Sequence, residues 1–287
     1  MCTINFKGKT KLIDILLDEN IVSLVKKNSF IDKLLFRKKQ YADIYFHTGI
    51  FDKESISNIK NGKKIVVNSN RLKKEILDKF NIDKNSVEVV YPFVDVEYSK
   101  PKKIKQNLCQ KLKIDPKKKI IFFTAKNLKS SGVIEFINTI MQLSSKNFIS
   151  IVAGDKKQIT ALKFQLTKLK LEEKLLLLED YENKDELFLA SDIFFLPTHN
   201  KSFASNVLKA MFCKNVVFTT QNNDSKELID IFSTMDSPSD RSMQFKLEAI
   251  LENKDDMRLI KKQNRKIAKE FTLDKQLEKI KGIIKTI

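Results

Sequence analysis

From residue 119 to residue 232 the sequence alternates short, wholly apolar runs with amphipathic stretches, and no other feature restricts the fold so strongly. "KIIFFTA" (119–125), "FISIVAG" (148–154), "KLLLLED" (174–180), "DIFFLP" (192–197) and "NVVFTT" (215–220) read as strands. Between and after them "GVIEFINTIMQLSSK" (132–146), "KQITALKFQLTKLK" (157–170), "KDELFLAS" (184–191), "SNVLKAMFC" (205–213) and "SKELIDIF" (225–232) place apolar residues at helical spacing. Strands that are apolar throughout, rather than alternating, are covered on both faces. With helices between them they form a parallel, doubly wound α/β sheet.

The same unit occurs upstream. "KKIVVNS" (63–69) leads into "NRLKKEILDKF" (70–80), with Asn68 or Ser69 placed to cap the helix, and "SVEVVYP" (86–92) is a further strand stopped by Pro92. "ADIYFHTG" (42–49) reads as a strand ending at a turn, whereas "TKLIDILLDENIVSLVKK" and "SFIDKLLFRKKQ" look amphipathic and basic-edged. Nine lysines from Lys100 to Lys119 face the single acid Asp115, with Pro101 and Pro116 as breakers, which reads as a linker. Past Pro238 the pattern is helical and charged, and no period of 20–50 residues recurs, so a solenoid is excluded.

A length of 287 residues suits two compact units, and 42% hydrophobic content with 21 Phe is enough to fill their cores. The net charge of +18 favours acidic partners through long-range potential. Most of it is Lys interleaved with Asn and Ile, the pattern of a solvated surface. Cys2, Cys109 and Cys213 are odd in number and far apart, and His47 and His199 are the only histidines, so neither a disulfide framework nor a zinc site is legible. No run approaches the roughly 18–20 apolar residues of a membrane span, and the start lacks a signal-peptide pattern. A cytoplasmic location is expected, with room for peripheral attachment at the inner face of a membrane.

In open α/β sheets ligands sit beyond the carboxyl ends of the strands, where loops and helix N-termini supply N–H groups for anions. Three such loops are "TAKNLKSSG" (124–132), "PTHNKSFAS" (197–205) and "TTQNNDSKE" (219–227). A small molecule carrying phosphate is the expected occupant.

The stretch from about 63 to 232 resembles glycosyltransferase family 4, retaining sugar-nucleotide enzymes of GT-B architecture. The resemblance lies in "IVVNSNRLKKEILDKFNIDKNSVEVVYPFVDVEYSKP" and in "SDIFFLPTHNKSFASNVLKAMFCKNVVFTT", where Asp192, Pro197, Phe203, Ala210, Met211 and Val217 keep step with the donor-binding segment. It implies an α/β, GT-B-like fold of two Rossmann-like, doubly wound parallel-sheet domains facing a cleft. On this reading 1–97 is a reduced acceptor-side domain, 98–118 a linker and 119–235 the donor-type domain; 236–287 forms C-terminal helices, the last packing back on the first domain.

The chain departs from the family's pattern where the chemistry would be. Two glutamates expected around a seven-residue gap, one at the donor sugar and one accepting from the ribose hydroxyls, are Lys201 and Lys209 here. An ammonium has no acceptor, so it cannot replace a carboxylate in that role. The diphosphate-binding Arg and Lys positions are Lys126 and Ser131, with Lys129 in the same loop as a substitute cation. Ala204, Lys214, Asn222 and Asn223 stand where the family usually has Gly, and Glu227 keeps a family-like acid. The implied donor-binding set is Lys126, Lys129, Ser131, Lys201, Ser202, Phe203, Ala204, Ser205, Lys209 and Glu227. His47 is a weak catalytic candidate against a structural role, and no metal or other cofactor is expected.

Two functions follow from the resemblance. One is retaining transfer of a sugar from a nucleotide-diphosphate donor to a hydroxyl of a glycan or lipid-linked acceptor. The other is an inactive relative acting as a binding or scaffold subunit with a protein partner. The basic run "FIDKLLFRKK" (30–39) fits either an anionic membrane surface or a packed helix with a lysine edge. Phe194, Phe195 and Phe203 read as core or loop anchors, and no RNA-binding signature accompanies the lysines, so nucleic acid is not an expected partner.

Overall fold

The computed structural model describes residues 1–26, 39–167 and 174–287. The chain forms two compact units, residues 1–93 with 273–287, and residues 94–272. Most of the basic run at 30–39 lies outside the described residues, as do 168–170 of the helix read at 157–170. Among the described residues no helix is long and apolar enough to cross a membrane.

Unit 1 carries β1 (Cys2–Phe6), α1 (Lys11–Asp18), β2 (Val22–Leu24), β3 (Ile44–His47), α2 (Lys53–Asn61), β4 (Lys64–Val67), α3 (Asn70–Lys79), β5 (Val87–Val89) and, at its C-terminal end, α11 (Leu273–Ile284). The sheet order is β2-β1-β3-β4-β5, every neighbouring pair parallel. Successive strand residues point to opposite faces, which separates two cores. Ile4, Ile44 and Val66 pack with Leu12, Ile13 and Leu16 of α1 and with Leu277, Ile280 and Ile283 of α11. Tyr45, Ile65 and Val67 pack on the other side with Ile59, Leu72 and Ile76. Ser69 is the residue that caps α3, accepting from Leu72 N at 3.1 Å.

Unit 2 carries α4 (Pro101–Leu112), β6 (Lys119–Thr124), α5 (Val133–Gln142), β7 (Phe148–Gly154), α6 (Lys156–Leu166), β8 (Leu175–Glu179), α7 (Lys184–Ala190), β9 (Ile193–Leu196), α8 (Ser205–Phe212), β10 (Val216–Thr220), β11 (Thr234–Met235), α9 (Ser242–Glu252) and α10 (Lys254–Ala268). Its six strands run in the order β11-β10-β9-β6-β7-β8, again all parallel. Phenylalanines fill both faces by the same alternation. Phe122 packs against Phe188 and Phe194, with ring centroids 5.0 and 5.9 Å away, while Phe123 and Phe195 meet Phe136 on the opposite side at 5.2 and 5.5 Å.

Two stretches differ from the sequence reading. The segment 98–118, expected as a linker, contains α4 and belongs to unit 2. Pro101 starts this helix instead of breaking one, since its fixed φ suits the first helical position. Leu108 and Cys109 are buried beneath the lysines that suggested a solvated tether. The helix expected at 225–232 is instead a pair of 3₁₀ turns, Asp224–Leu228 and Ile231–Ser233. Asn223 and Asp230 each accept a backbone N–H two residues on and so start new turns, which is how Asn and Asp side chains compete with a continuing helix.

A buried ion cluster ties α4 and α10 to the sheet. Asp192, immediately before β9, accepts from Lys105 Nζ at 2.7 Å, Lys261 Nζ at 2.6 Å and Ile120 N at 3.1 Å. Burial pushes its carboxyl up, but the two ammonium groups outweigh that and hold it at about 2. Lys261 is shifted down, because its own burial exceeds what a carboxylate shared with Lys105 returns and Lys119 adds like charge. Replacing Asp192 with Ala strands two cations and is expected to cost about 3–5 kcal/mol, read as a lowered denaturation midpoint. The folded pKa lies below the unfolded value of about 3.9. The stabilisation is therefore complete above about pH 4 and lost as pH falls toward 2, so an Asp192→Asn variant should show a flatter stability curve across that window.

Candidate functional site

The carboxyl ends of β6, β9 and β10 in unit 2 give rise to the three loops singled out in the sequence, and their backbones are joined tightly. Gly132 precedes α5 with φ +84°, and a Cβ added there would lie 1.8 Å from the carbonyl oxygen of Pro197. The loops after β6 and β9 therefore meet main chain to main chain, which only glycine permits. The Asn200 amide donates to Ser130 O at 3.2 Å and Ser131 Oγ at 3.3 Å, and His199 N donates to Ser130 O at 3.3 Å. Asn206, in the first turn of α8, donates to Thr124 O at 3.1 Å.

Asn223 fastens the third loop to the second. Its amide donates to Asn200 O and Ser202 O, both at 2.8 Å, and its oxygen accepts from Ala204 N, Ser225 N and Ser225 Oγ. Asp224 N donates to Lys201 O at 2.8 Å. Gln158 holds the first loop from the far side, accepting from Leu128 N at 2.7 Å and donating to Lys126 O at 3.1 Å. Asn223, expected from sequence as a lost glycine, makes through its side chain the bonds that fix this rim.

The structure brings Lys126, Lys129, Ser131, Lys201, Ser202, Phe203, Ala204, Ser205, Lys209 and Glu227 onto these loops and the elements that follow them. Lys126, Lys129 and Lys201 are exposed, and among the described residues their ammonium groups have no hydrogen-bond or ion-pair partner. Ser131 and Phe203 are buried, the latter as a loop anchor. Ala204 starts α8 without a side-chain cap, and Ser205 lies exposed in its first turn. Glu227 is half-buried in the 3₁₀ turn after β10. Lys209 turns toward the start of α7, where its Nζ lies 2.7 Å from Asp185 Oδ1 and 5.7 Å from the centre of the Phe188 ring. Lys214, another position read as a lost glycine, takes φ +62°, so the left-handed conformation persists without glycine.

A His–carboxylate pair also lies at this rim. His199 Nε2 lies 2.8 Å from Glu135 Oε1 of α5, so the loop after β9 is joined to the first turn of that helix by a side-chain bond as well. A His in a loop and a Glu at the third position of a helix carry no mutual signal in sequence.

His47 belongs to unit 1. It ends β3, is fully buried and stacks on Phe51 at 4.9 Å. Burial, then the nearby Lys7 charge, pushes its pKa down to about 4, leaving it neutral near pH 7. Also within unit 1, a cavity of about 890 Å³ is bordered by Asn5, Lys7, Tyr45, Asp52, Ser55 and Asn58. Among the described residues no group of three or more His, Cys, Asp or Glu side chains is placed to hold a metal ion.

Residues 104–267, more than half of the chain and nearly all of unit 2, match the family described as Glycosyl transferases group 1. The chain belongs to this family. Its fold is that of solved GT-B glycosyltransferases. HepE from Anabaena, solved with UDP, superposes with a TM-score of 0.73 at 17% identity, over 85% of this chain and 72% of that one. A glycosyltransferase from Rickettsia africae ESF-5 gives 0.72 at 16%, over 99% and 89%. WaaG, a glycosyltransferase of lipopolysaccharide biosynthesis, gives 0.68 at 14%, over 92% and 86%. No curated protein sequence matches significantly.

Two substitutions test how the rim is held. Gly132→Ala combines a strained φ, worth about 1–2 kcal/mol, with direct overlap on Pro197, and should lower the denaturation midpoint. Asn223→Ala removes several buried bonds at about 0.5–1.5 kcal/mol each. Hydrogen exchange should then rise at 198–205 and 221–226, with strand amides of β7 still protected.

Proposed function

We propose that this protein transfers a sugar, with retention, from a nucleotide-diphosphate donor bound at the unit 2 rim to a hydroxyl of a glycan or lipid-linked acceptor. The observation that carries the reading is the set of three exposed lysines, Lys126, Lys129 and Lys201, that have no partner among the described residues and lie in the loops leading into α5 and α8. Unpaired ammonium groups together with helix N-termini attract phosphate. The UDP complex of HepE, a protein of the same fold, adds support for a nucleotide ligand.

In this scheme Lys126 and Lys129 stabilise the diphosphate as negative charge develops on it when the glycosidic bond breaks. Lys201 lies over the sugar side of the ligand, where an ammonium donates to hydroxyl or carboxylate oxygens. His47, buried and neutral, has a structural role. Lysine charge rather than a bound metal ion is assigned to the leaving group.

Calorimetry with UDP-, GDP- and CMP-sugars tests the reading. At least one should bind, and Lys126→Ala with Lys129→Ala should weaken it roughly 10- to 100-fold, as expected for lost charge-assisted bonds. Absence of binding across the panel, with a stable protein partner recovered in pull-down, would favour the scaffold role instead.

A further inference from the structure

We infer that Asp185 reads the nucleoside hydroxyls of the donor and that Lys209 positions it, an assignment that rests on the donor-binding reading above. Lys209 lies one helical turn into α8, the helix whose start faces the lysine-bearing loops, about 6 Å along the axis from Ser205. From there its ammonium reaches across to Asp185 in the first turn of α7, at 2.7 Å. The pair therefore joins the last turn of α8 to the first turn of α7, beside an open depression of about 500 Å³ bordered by Asp180, Tyr181, Glu182, Asn183, Lys184 and Asp185.

The chemistry of the pair is selective. Lys209 holds Oδ1 of Asp185, and among the described residues Oδ2 accepts no hydrogen bond. Side-chain exposures of 26% for Lys209 and 38% for Asp185 leave the pair in reach of a ligand while fixing its geometry. A carboxylate oxygen accepts from a hydroxyl, and an ammonium with one of three donors engaged still donates to another. Side by side, the two match a vicinal diol, one hydroxyl giving a proton to Asp185 and its neighbour accepting from Lys209. The cationic loops at the start of α8 supply the phosphate end, so the helix spans both ends of a nucleotide. A carboxylate carried by α7 thus does for this chain what Lys209 itself, lacking an acceptor, is unable to do.

The test compares UDP and GDP with their 2′-deoxy counterparts by calorimetry, using inorganic pyrophosphate as a probe of the phosphate end. The wild-type protein should bind the ribonucleotide about 10-fold or more tightly than the deoxynucleotide, the value of a hydrogen bond to a charged group. Asp185→Ala and the near-isosteric Asp185→Asn should reduce that preference to about 2-fold or less while leaving pyrophosphate affinity unchanged. Lys209→Met should also reduce it by releasing the carboxylate. A ribose preference that persists in a folded Asp185→Asn protein, or a wild-type protein that binds nucleotides without preferring ribose, overturns the assignment and leaves the donor site standing. Failure of the wild type to bind any nucleotide or pyrophosphate overturns the donor-binding reading, and this assignment with it.

Discussion

The structure of unit 2 depends on one carboxylate placed between two ammonium groups. Asp192 sits where α4, α10 and the entrance of β9 converge, and it also accepts the main-chain N–H of Ile120 in the neighbouring strand. Burying three charges costs more than a surface pair would, so the cluster acts less as a source of stability than as a fixture of position. It fixes the start of β9, and four residues of strand later the chain emerges as the second loop of the candidate site. Alignment at one end of the sheet thereby sets the geometry at the other.

At that other end, neutral amides and the His199–Glu135 pair hold the loops, while Lys126, Lys129 and Lys201 are left exposed. Asn200, Asn206, Asn223 and Gln158 satisfy loop carbonyls and N–H groups that would otherwise need water. The lysines are released from structural duty. Lys209 is the exception, since its ammonium is engaged by Asp185.

Much of the architecture was readable from the sequence, because wholly apolar strands such as "FISIVAG" and "DIFFLP" admit few environments besides a covered parallel sheet. The α4 helix was missed for a definite reason. Its buried side, around Leu108 and Cys109, is narrow, and the lysines on every other side dominate the composition. The loops that would hold a ligand were located correctly as loops. Their internal bonding was not legible, because Asn223 meeting Asn200 O, Gly132 meeting Pro197 O and Lys209 meeting Asp185 are contacts between distant positions with no local pattern. Gly132 could at most be suspected from standing before a helix.

The main-chain contact between Gly132 and Pro197 has a wider consequence. Where loop shape is secured by backbone atoms and by amides that carry no net charge, the ionic groups mounted on it can be exchanged, even reversed in sign, while the frame keeps its outline. Such a rim separates form from selectivity: a change of side-chain charge at the mouth leaves the backbone frame beneath it in place.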